Sequence, residues 1–192
     1  MAARLYLVRH GETEWTVARR HTGRTDVPLT EAGEEQARAL GMALVGVTMD
    51  RVLSSPLERA LATARLAGFG DRVERSDALL EMDYGEYEGL TTPEIRARRP
   101  GWDLFRDGCP GGETVDDVAK RVQPLLAEVG GADGNVALFG HGHCLRVLAA
   151  TYLGLEPAAA RHLFLETASV SILGREHDWP TILRWNQTGR PA

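Results

Sequence analysis

The stretch Leu5-Tyr6-Leu7-Val8-Arg9-His10-Gly11 is the part of the sequence that decides the fold. Its four consecutive apolar residues predict a strand buried on both faces, as in a parallel sheet. An arginine, an imidazole and a glycine with an unhindered backbone N–H follow directly. Ligands of open α/β sheets bind at the carboxyl ends of strands, and these three groups suit an anion. The stretch therefore predicts a phosphate site. The alternative is a strand that ends in polar residues without binding a ligand.

Length and composition limit the class of protein. The 192 residues are 43% hydrophobic and 26% charged, which is ordinary for one globular domain covering residues 1–192. A net charge of −5 argues against a general nucleic-acid binder. The two cysteines cannot form a disulfide framework, and no apolar run is long enough for a signal peptide or a membrane span. We therefore expect a cytoplasmic protein without a nucleic-acid or membrane partner, and the sequence leaves a homodimer open.

Strand and helix signals alternate along the chain. After the first strand, further strands are predicted at 51–53, 72–76, 135–140, 169–173 and 181–185. Helices are predicted at 30–44, 56–67, 92–99, 114–129 and 143–152, with a short one near Pro157. Pro124 is expected to kink the fourth helix or to end it early. The alternation predicts an α/β three-layer sandwich with a mostly parallel sheet and helices on both faces.

Side chains capable of chemistry follow three of the predicted strands. Arg9 and His10 end the first strand, Ser55 follows the second with Arg59 one turn into the next helix, and His141 follows the strand at 135–140. Because the carboxyl ends of parallel strands share one edge of a sheet, we expect these residues to meet. Together they would form an anion pocket with a potential nucleophile.

Six motifs in a fixed order identify a family resemblance. They are Arg9-His10-Gly11-Glu12-Thr13-Glu14-Trp15, Thr22-Gly23, Leu29-Thr30, Ser54-Ser55-Pro56-Leu57-Glu58-Arg59-Ala60, Leu80-Glu81-Met82-Asp83-Tyr84-Gly85 and His141-Gly142. This set resembles the histidine phosphatase superfamily, also called phosphoglycerate mutase-like. Within it, the chain looks more similar to sedoheptulose-bisphosphatase-like and actinobacterial acid phosphatase members than to the mutases.

The resemblance implies a catalytic role for five residues. His10 would attack phosphorus and become a phosphohistidine, with Arg9 and Arg59 keeping its imidazole neutral and holding the phosphoryl oxygens in bidentate fashion. His141, as a cation, would be a third clamp on the developing charge. Glu81 matches the family's general acid, which protonates the leaving group. For the carboxylate of Glu81, a surface position or a salt bridge to an arginine at position 75 is the alternative.

The resemblance also implies a set of substrate contacts. They are expected at Gly11, Thr16, Thr22, Gly23, Ser55, Gly142 and Arg146. Thr16 departs from the family pattern, because many members carry an asparagine there that touches the phosphate. Arg146 is expected either to hold a second phosphate, with Arg24 and His21 adding positive charge opposite it, or to pair with an acidic residue of a neighbouring element.

Other chemistries fit the sequence less well. His143 and Cys144 beside His141 supply too few ligands for a metal site, and no carboxylate cluster accompanies them, so we expect neither a metal nor a cofactor. A cysteine phosphatase needs C-x5-R, but residue 150 is alanine and residue 115 is valine. Trp102 is the tryptophan best placed to line a pocket.

The resulting hypothesis is a metal-independent phosphomonoesterase that acts on a small-molecule phosphate ester, such as a sugar phosphate or bisphosphate, through a phosphohistidine on His10. A cofactor-dependent phosphoglycerate mutase is the first alternative. A non-catalytic module that binds phosphorylated ligands is the second, and it would lose His10 or Glu81, both of which are present.

Overall fold

The computed structural model describes residues 4–131 and 134–188. Six strands within these ranges form one sheet. Its strands are β1 (Arg4–Arg9), β2 (Arg51–Ser54), β3 (Val73–Arg75), β4 (Asn135–Gly140), β5 (Val170–Glu176) and β6 (Trp179–Gln187). Their order across the sheet is β3-β2-β4-β1-β5-β6. The first four strands are parallel, whereas β5 pairs antiparallel with β1 and β6 antiparallel with β5. The predicted mostly parallel α/β sheet is confirmed.

The two central strands are apolar on both faces of the sheet. Along β1, Leu5 and Leu7 pack into one hydrophobic core while Tyr6 and Val8 pack into a second core on the opposite face. The residues of β4 alternate in the same way between the two cores. Because side chains of a strand alternate between its faces, this uniformly apolar sequence requires a covering layer on each side.

Helices supply both layers. The chain forms α1 (Glu14–Val17), α2 (Glu31–Ala43), α3 (Glu58–Ala64), α4 (Thr92–Arg98), α5 (Leu104–Asp107), α6 (Val115–Gly130) and α7 (Gly142–Tyr152). Residues of α6 and α7 belong to the first core, and residues of α2 and α3 belong to the second. The predicted helices on both faces are therefore present. Within residues 4–131 and 134–188, none of the helices combines the length and the hydrophobicity that a membrane span needs.

The main differences from the predicted boundaries lie at three places. α6 continues past Pro124 to Gly130, so the prediction that Pro124 ends this helix early is wrong. Five buried residues on one face of α6 pack against the core, and this packing outweighs the backbone N–H that Pro124 lacks. α3 ends at Ala64 and gives way to an irregular helical turn, in which Gly68 has a φ of +91°. The hairpin of β5 and β6 extends to Glu176 and Trp179, because their backbones pair even where the side chains are exposed.

The sheet brings three strand ends to one edge. In the register of β1 with β4, Arg9 lies opposite Gly140, and in the register of β2 with β4, Ser54 lies opposite Phe139. The residues that follow these positions therefore leave the sheet side by side. The predicted convergence of the loops after β1, β2 and β4 is confirmed.

Candidate active site

The backbone fixes the orientation and tautomer of His10, which is 3% exposed. Its Nδ1 lies 2.7 Å from the carbonyl oxygen of Gly11, and a carbonyl can only accept, so Nδ1 carries the hydrogen and Nε2 keeps its lone pair. The N–H of Gly11 donates to Oγ1 of Thr63 at 3.0 Å, and the Thr63 hydroxyl donates to the carbonyl of Arg59 at 2.8 Å. His10 thus presents the lone pair of Nε2 on an anchored peptide.

The Gly11 contacts correct one expectation. Its N–H is not available to an anion, because Thr63 accepts it. The glycine is instead required by close packing, since a Cβ at this position would lie 2.4 Å from the carbonyl oxygen of Gly33 in α2.

His141 faces His10 and is neutral. The two ring centroids are 5.1 Å apart. Nε of Arg59 donates to Nδ1 of His141 at 3.2 Å, so that nitrogen bears a lone pair, and Nε2–H donates to Oγ of Ser55 at 2.8 Å. This hydrogen-bond pattern corrects the expectation of a cationic His141, because an imidazolium has no lone pair to accept from an arginine. Ser55 accordingly holds the ring.

Burial and nearby arginines explain the neutrality of both rings. Burial lowers the pKa of His10 well below its ordinary value of 6.5, and the charges of Arg59 and Arg9 lower it further. Burial likewise lowers the pKa of His141 well below 6.5, with Arg59 adding to the effect. At neutral pH the Nε2 lone pair of His10 is therefore available.

The two arginines have different surroundings. Arg59 is fully buried, and besides contacting His141 it donates to the carbonyls of Thr22 (3.1 Å), Gly23 (2.8 Å) and Thr25 (2.8 Å). In this structure its guanidinium ties down the first loop, so most of its N–H groups are already used, contrary to the expected bidentate clamp. Nε of Arg9 is buried without a hydrogen-bond partner among residues 4–131 and 134–188. A buried, unpaired cationic donor is costly, so Arg9 is the donor best suited to an incoming anion.

Glu81 is buried at the amino terminus of α7. Its Oε1 accepts from the backbone N–H groups of Met82 (2.9 Å) and Cys144 (2.8 Å), and its Oε2 accepts from that of His143 (3.1 Å). The partners are thus backbone donors rather than Arg75, and the surface alternative is also excluded because Glu81 is 4% exposed. Oε2, with a single bond, is the oxygen that has room for a proton.

A cleft of about 460 Å³ opens beside Glu81. Thr22 and four aromatic side chains line it: Tyr84, Trp102, Phe105 and Phe164. Trp102 is 2% exposed and donates from Nε1 to the carbonyl of Gly108 at 2.9 Å, which fixes its indole. The cleft therefore combines apolar walls with the carboxyl group of Glu81, as ligand pockets combine apolar and polar groups.

Three arginines, Arg19, Arg20 and Arg96, also line this cleft. Arg20 donates to the carbonyl of Gly89 at 2.6 Å and Arg96 to that of Trp102 at 3.0 Å. Among the described residues, none of the three arginines has a carboxylate within ion-pair distance. Arg19 has a φ of +54°, which is strained for a residue with a side chain. The cleft thus carries positive charge that no ion pair with residues 4–131 or 134–188 neutralises.

The structure does not bring Arg146 into the cleft. It donates to the carbonyls of Ala160 (3.0 Å) and Arg161 (3.1 Å), and its guanidinium carbon lies 4.7 Å from the centroid of Phe105. These contacts correct both expectations for Arg146, because its partners are backbone carbonyls and an aromatic ring rather than a pocket ligand or an acidic residue. The carbonyls of the short helix Pro157–His162 lie within its reach and take up its donors.

Arg24 and His21 do not supply the free positive charge expected opposite Arg146. Arg24 is paired with Asp83 at 3.8 Å and with Glu113 at 3.6 Å. Burial lowers the pKa of His21 from 6.5, which favours its neutral form.

In this structure, three further residues that were predicted to contact the substrate, Thr16, Gly23 and Gly142, lie against other residues of the protein. The hydroxyl of Thr16 donates to the carbonyl of Thr13 at 2.8 Å and accepts from its N–H, which caps α1, so this departure from the family pattern has a local structural role. The N–H of Gly23 donates to the carboxylate of Glu88 at 2.9 Å. A Cβ at Gly142 would lie 3.4 Å from the guanidinium carbon of Arg9, an ordinary contact distance, so Arg9 lies close to the start of α7.

Two residues of this site were not predicted from the sequence as functional. Thr63 accepts a hydrogen bond from Gly11. Its position four residues after Arg59 on the same helix was the one feature of the sequence that could have indicated this role. The hydroxyl of Tyr84 lies 2.6 Å from Nδ1 of His143, although Tyr84 was recognised only as part of a motif.

Comparison with known proteins shows the family of this chain. Residues 5–188 match the family described as the histidine phosphatase superfamily (branch 1). The chain is 40% identical to an acid phosphatase of Mycobacterium tuberculosis, over 98% of this chain and 94% of that protein. It is 33% identical to sedoheptulose 1,7-bisphosphatase of Saccharomyces cerevisiae, over 81% and 69% of the two chains.

A solved structure agrees as well. The structure of an open reading frame product of Mycobacterium tuberculosis superposes with a TM-score of 0.91 at 39% identity, covering 98% of this chain and 99% of the other. The chain belongs to the histidine phosphatase superfamily.

Proposed function

We propose that this protein is a metal-independent phosphomonoesterase that hydrolyses small phosphorylated metabolites through a phosphohistidine on His10. One observation carries the proposal: the Nδ1–H of His10 is bound to the carbonyl of Gly11, which leaves Nε2 as a free nucleophile beside an unpaired, buried N–H of Arg9. A nucleophile with a fixed tautomer and an adjacent cationic donor is what in-line attack on a phosphate ester requires.

In the first half of the reaction, Nε2 of His10 attacks phosphorus and the bond from phosphorus to the ester oxygen breaks. The departing alkoxide takes a proton from Oε2 of Glu81, so the first product leaves as a neutral alcohol. The hydrogen bond from Nδ1–H to the carbonyl of Gly11 stabilises the positive charge that the imidazole acquires. Arg9 neutralises charge on the phosphoryl oxygens.

The second half reverses the roles. The carboxylate of Glu81 accepts a proton from water, the water oxygen attacks phosphorus, and the bond to Nε2 of His10 breaks. Phosphate leaves, and the imidazole returns to its neutral form. Three backbone N–H groups bind the Glu81 carboxylate in the ligand-free protein, which keeps this group aimed at the cleft as it alternates between acid and base.

The cleft supports a sugar phosphate or bisphosphate as substrate. Its volume of about 460 Å³ suits a leaving group of a few carbon atoms. Arg19, Arg20 and Arg96 could take a second anionic group, because no carboxylate of the described residues lies within ion-pair distance of them. The name of one relative, sedoheptulose 1,7-bisphosphatase, supports the same substrate class, and that of another, acid phosphatase, supports phosphate release.

Phosphate release tests this proposal. Purified protein should hydrolyse sugar phosphates and p-nitrophenyl phosphate at undiminished rates in EDTA, and His10→Ala should be inactive. Full activity of His10→Ala, or complete inhibition by EDTA, would contradict it. Adding 3-phosphoglycerate with catalytic 2,3-bisphosphoglycerate tests the mutase alternative, which predicts interconversion faster than any hydrolysis.

A further inference from the structure

Two stacked histidines line the cleft next to the candidate acid. The rings of His21 and His143 are nearly parallel, at 6°, with centroids 6.3 Å apart. Both residues line the cleft beside Glu81, and the backbone N–H of His143 donates to Oε2 of Glu81 at 3.1 Å. Whatever these rings bind is therefore held close to the point where the leaving-group oxygen receives its proton.

The protein fixes the tautomer of His21. Its Nδ1 lies 2.8 Å from the carbonyl oxygen of Leu90, so Nδ1 carries the hydrogen and Nε2 carries a lone pair. No residue in the ranges 4–131 and 134–188 bonds to this Nε2. His21 therefore offers the cleft a hydrogen-bond acceptor.

His143 has the opposite tautomer. Tyr84 is buried, and burial raises the pKa of its phenol well above 10, so the hydroxyl keeps its hydrogen. The described residues provide one acceptor for that hydrogen, Nδ1 of His143 at 2.6 Å. Nδ1 thus bears a lone pair and Nε2 carries the hydrogen, and this Nε2 also has no partner in the described part of the chain. His143 offers the cleft a donor.

A hydroxyl group matches this pair, because it both accepts and donates a hydrogen bond. A carboxylate could bind only to His143 and an ammonium group only to His21. The flanking faces of Phe105, at 5.6 Å from His143, and of Trp102, at 5.6 Å from His21, suit the C–H surface of a carbon chain. Two parallel rings also supply too few ligands for a metal ion.

We propose that His21 and His143 determine leaving-group specificity, selecting phosphate esters whose leaving group carries free hydroxyl groups, such as sugars and polyols. This inference rests on the proposed function. A site built to hydrogen-bond a hydroxyl rejects an analogue that lacks it, because the polar groups of the site then lose their partners. Plain alkyl phosphates should therefore be poor substrates even when they fit the cleft.

The test compares ribitol 5-phosphate with pentyl phosphate, which have the same carbon chain length, and uses p-nitrophenyl phosphate as a reference. His21→Phe and His143→Phe should each lower the ratio of kcat/KM for the first two substrates by about tenfold, equivalent to the loss of ~1.4 kcal/mol of transition-state stabilisation. p-Nitrophenyl phosphate has no free hydroxyl group, so its kcat/KM should fall less in each variant than that of ribitol 5-phosphate.

Two further variants separate recognition from folding. His143→Gln should retain most of the wild-type preference for ribitol 5-phosphate over pentyl phosphate. The amide oxygen of glutamine can accept from the hydroxyl of Tyr84 while its NH₂ group donates into the cleft. His177→Asn is the matched control: it removes an imidazole from the β5–β6 turn, at a φ of +53° that asparagine tolerates, and should leave the ratio unchanged.

The outcomes distinguish this inference from the proposed function. An unchanged ratio in both phenylalanine variants, with p-nitrophenyl phosphate still hydrolysed, would overturn the role of the histidine pair and leave the phosphatase assignment standing. If His143→Phe does not fold, the ratio in His21→Phe decides in the same way. A wild type that hydrolyses none of the three substrates would overturn the proposed function, and this inference with it.

Discussion

Replacing Thr63 with valine should damage both stability and catalysis, although Thr63 does not line the cleft. Its hydroxyl is fully buried, accepts from the N–H of Gly11 at 3.0 Å and donates to the carbonyl of Arg59 at 2.8 Å. Valine has nearly the same shape but cannot accept, so the variant leaves a buried N–H without a partner.

The magnitude follows from that unpaired group. An unsatisfied buried donor costs about 1–3 kcal/mol of stability. For a protein of this size, each kcal/mol lowers Tm by roughly 2–4 °C, so Thr63→Val should melt about 2–12 °C below the wild type. The carbonyl of Gly11 orients His10, so loosening this peptide should also lower kcat by about tenfold, or ~1.4 kcal/mol.

Urea unfolding measures the first effect, and steady-state hydrolysis of p-nitrophenyl phosphate measures the second. Thr63→Ser is the matched control, because it keeps the hydroxyl and loses a methyl group; its kcat should stay within about threefold of the wild type. If Thr63→Val and Thr63→Ser had the same kcat, the hydroxyl of Thr63 would have no part in orienting His10.

Three other perturbations test the remaining assignments. Glu81→Gln should lose about 10²–10⁴-fold in kcat on ribitol 5-phosphate, whose alkoxide needs a proton, and far less on p-nitrophenyl phosphate; equal losses would make Glu81 structural. Arg146→Ala should lower the free energy of unfolding in urea by about 1–2 kcal/mol. The ratio of kcat/KM for fructose 1,6-bisphosphate to that for fructose 6-phosphate should stay unchanged, and a changed ratio would place Arg146 at the substrate. Because the pKa of His10 is lowered, its imidazole stays neutral below pH 6.5. The value of kcat/KM, corrected for substrate ionisation, should therefore change little between pH 7 and pH 5.5. If His10 had the ordinary pKa, kcat/KM would fall about tenfold over this range.

The sheet and the location of the site were predictable because both depend on local sequence. The apolar runs of β1 and β4 are uniform enough to identify buried strands, and the carboxyl ends of parallel strands must lie at one edge. His10, Ser55 and His141 each follow such a strand directly, so their proximity needed no knowledge of distant contacts.

The neutral state of His141 and most hydrogen-bond partners were not predictable, because they depend on residues far apart in sequence. Thr63 is 52 residues from Gly11, and Tyr84 is 59 residues from His143. The orientation of Arg146 was decided by carbonyl groups 14 and 15 residues further along the chain. Sequence patterns identify which side chains can take part in chemistry, whereas the tautomer of each histidine depends on the partner that packing brings to it.

The nitrogen atom that carries the phosphoryl group provides the most direct test of the mechanism. Wild-type protein quenched during turnover should contain acid-labile, alkali-stable phosphate on His10, located by peptide mass spectrometry. NMR of the phosphopeptide should place phosphorus on Nε2, because Nδ1–H is bound to the carbonyl of Gly11. Phosphate on Nδ1, on another residue, or on no residue while hydrolysis proceeds would contradict the assignment of His10 as the nucleophile.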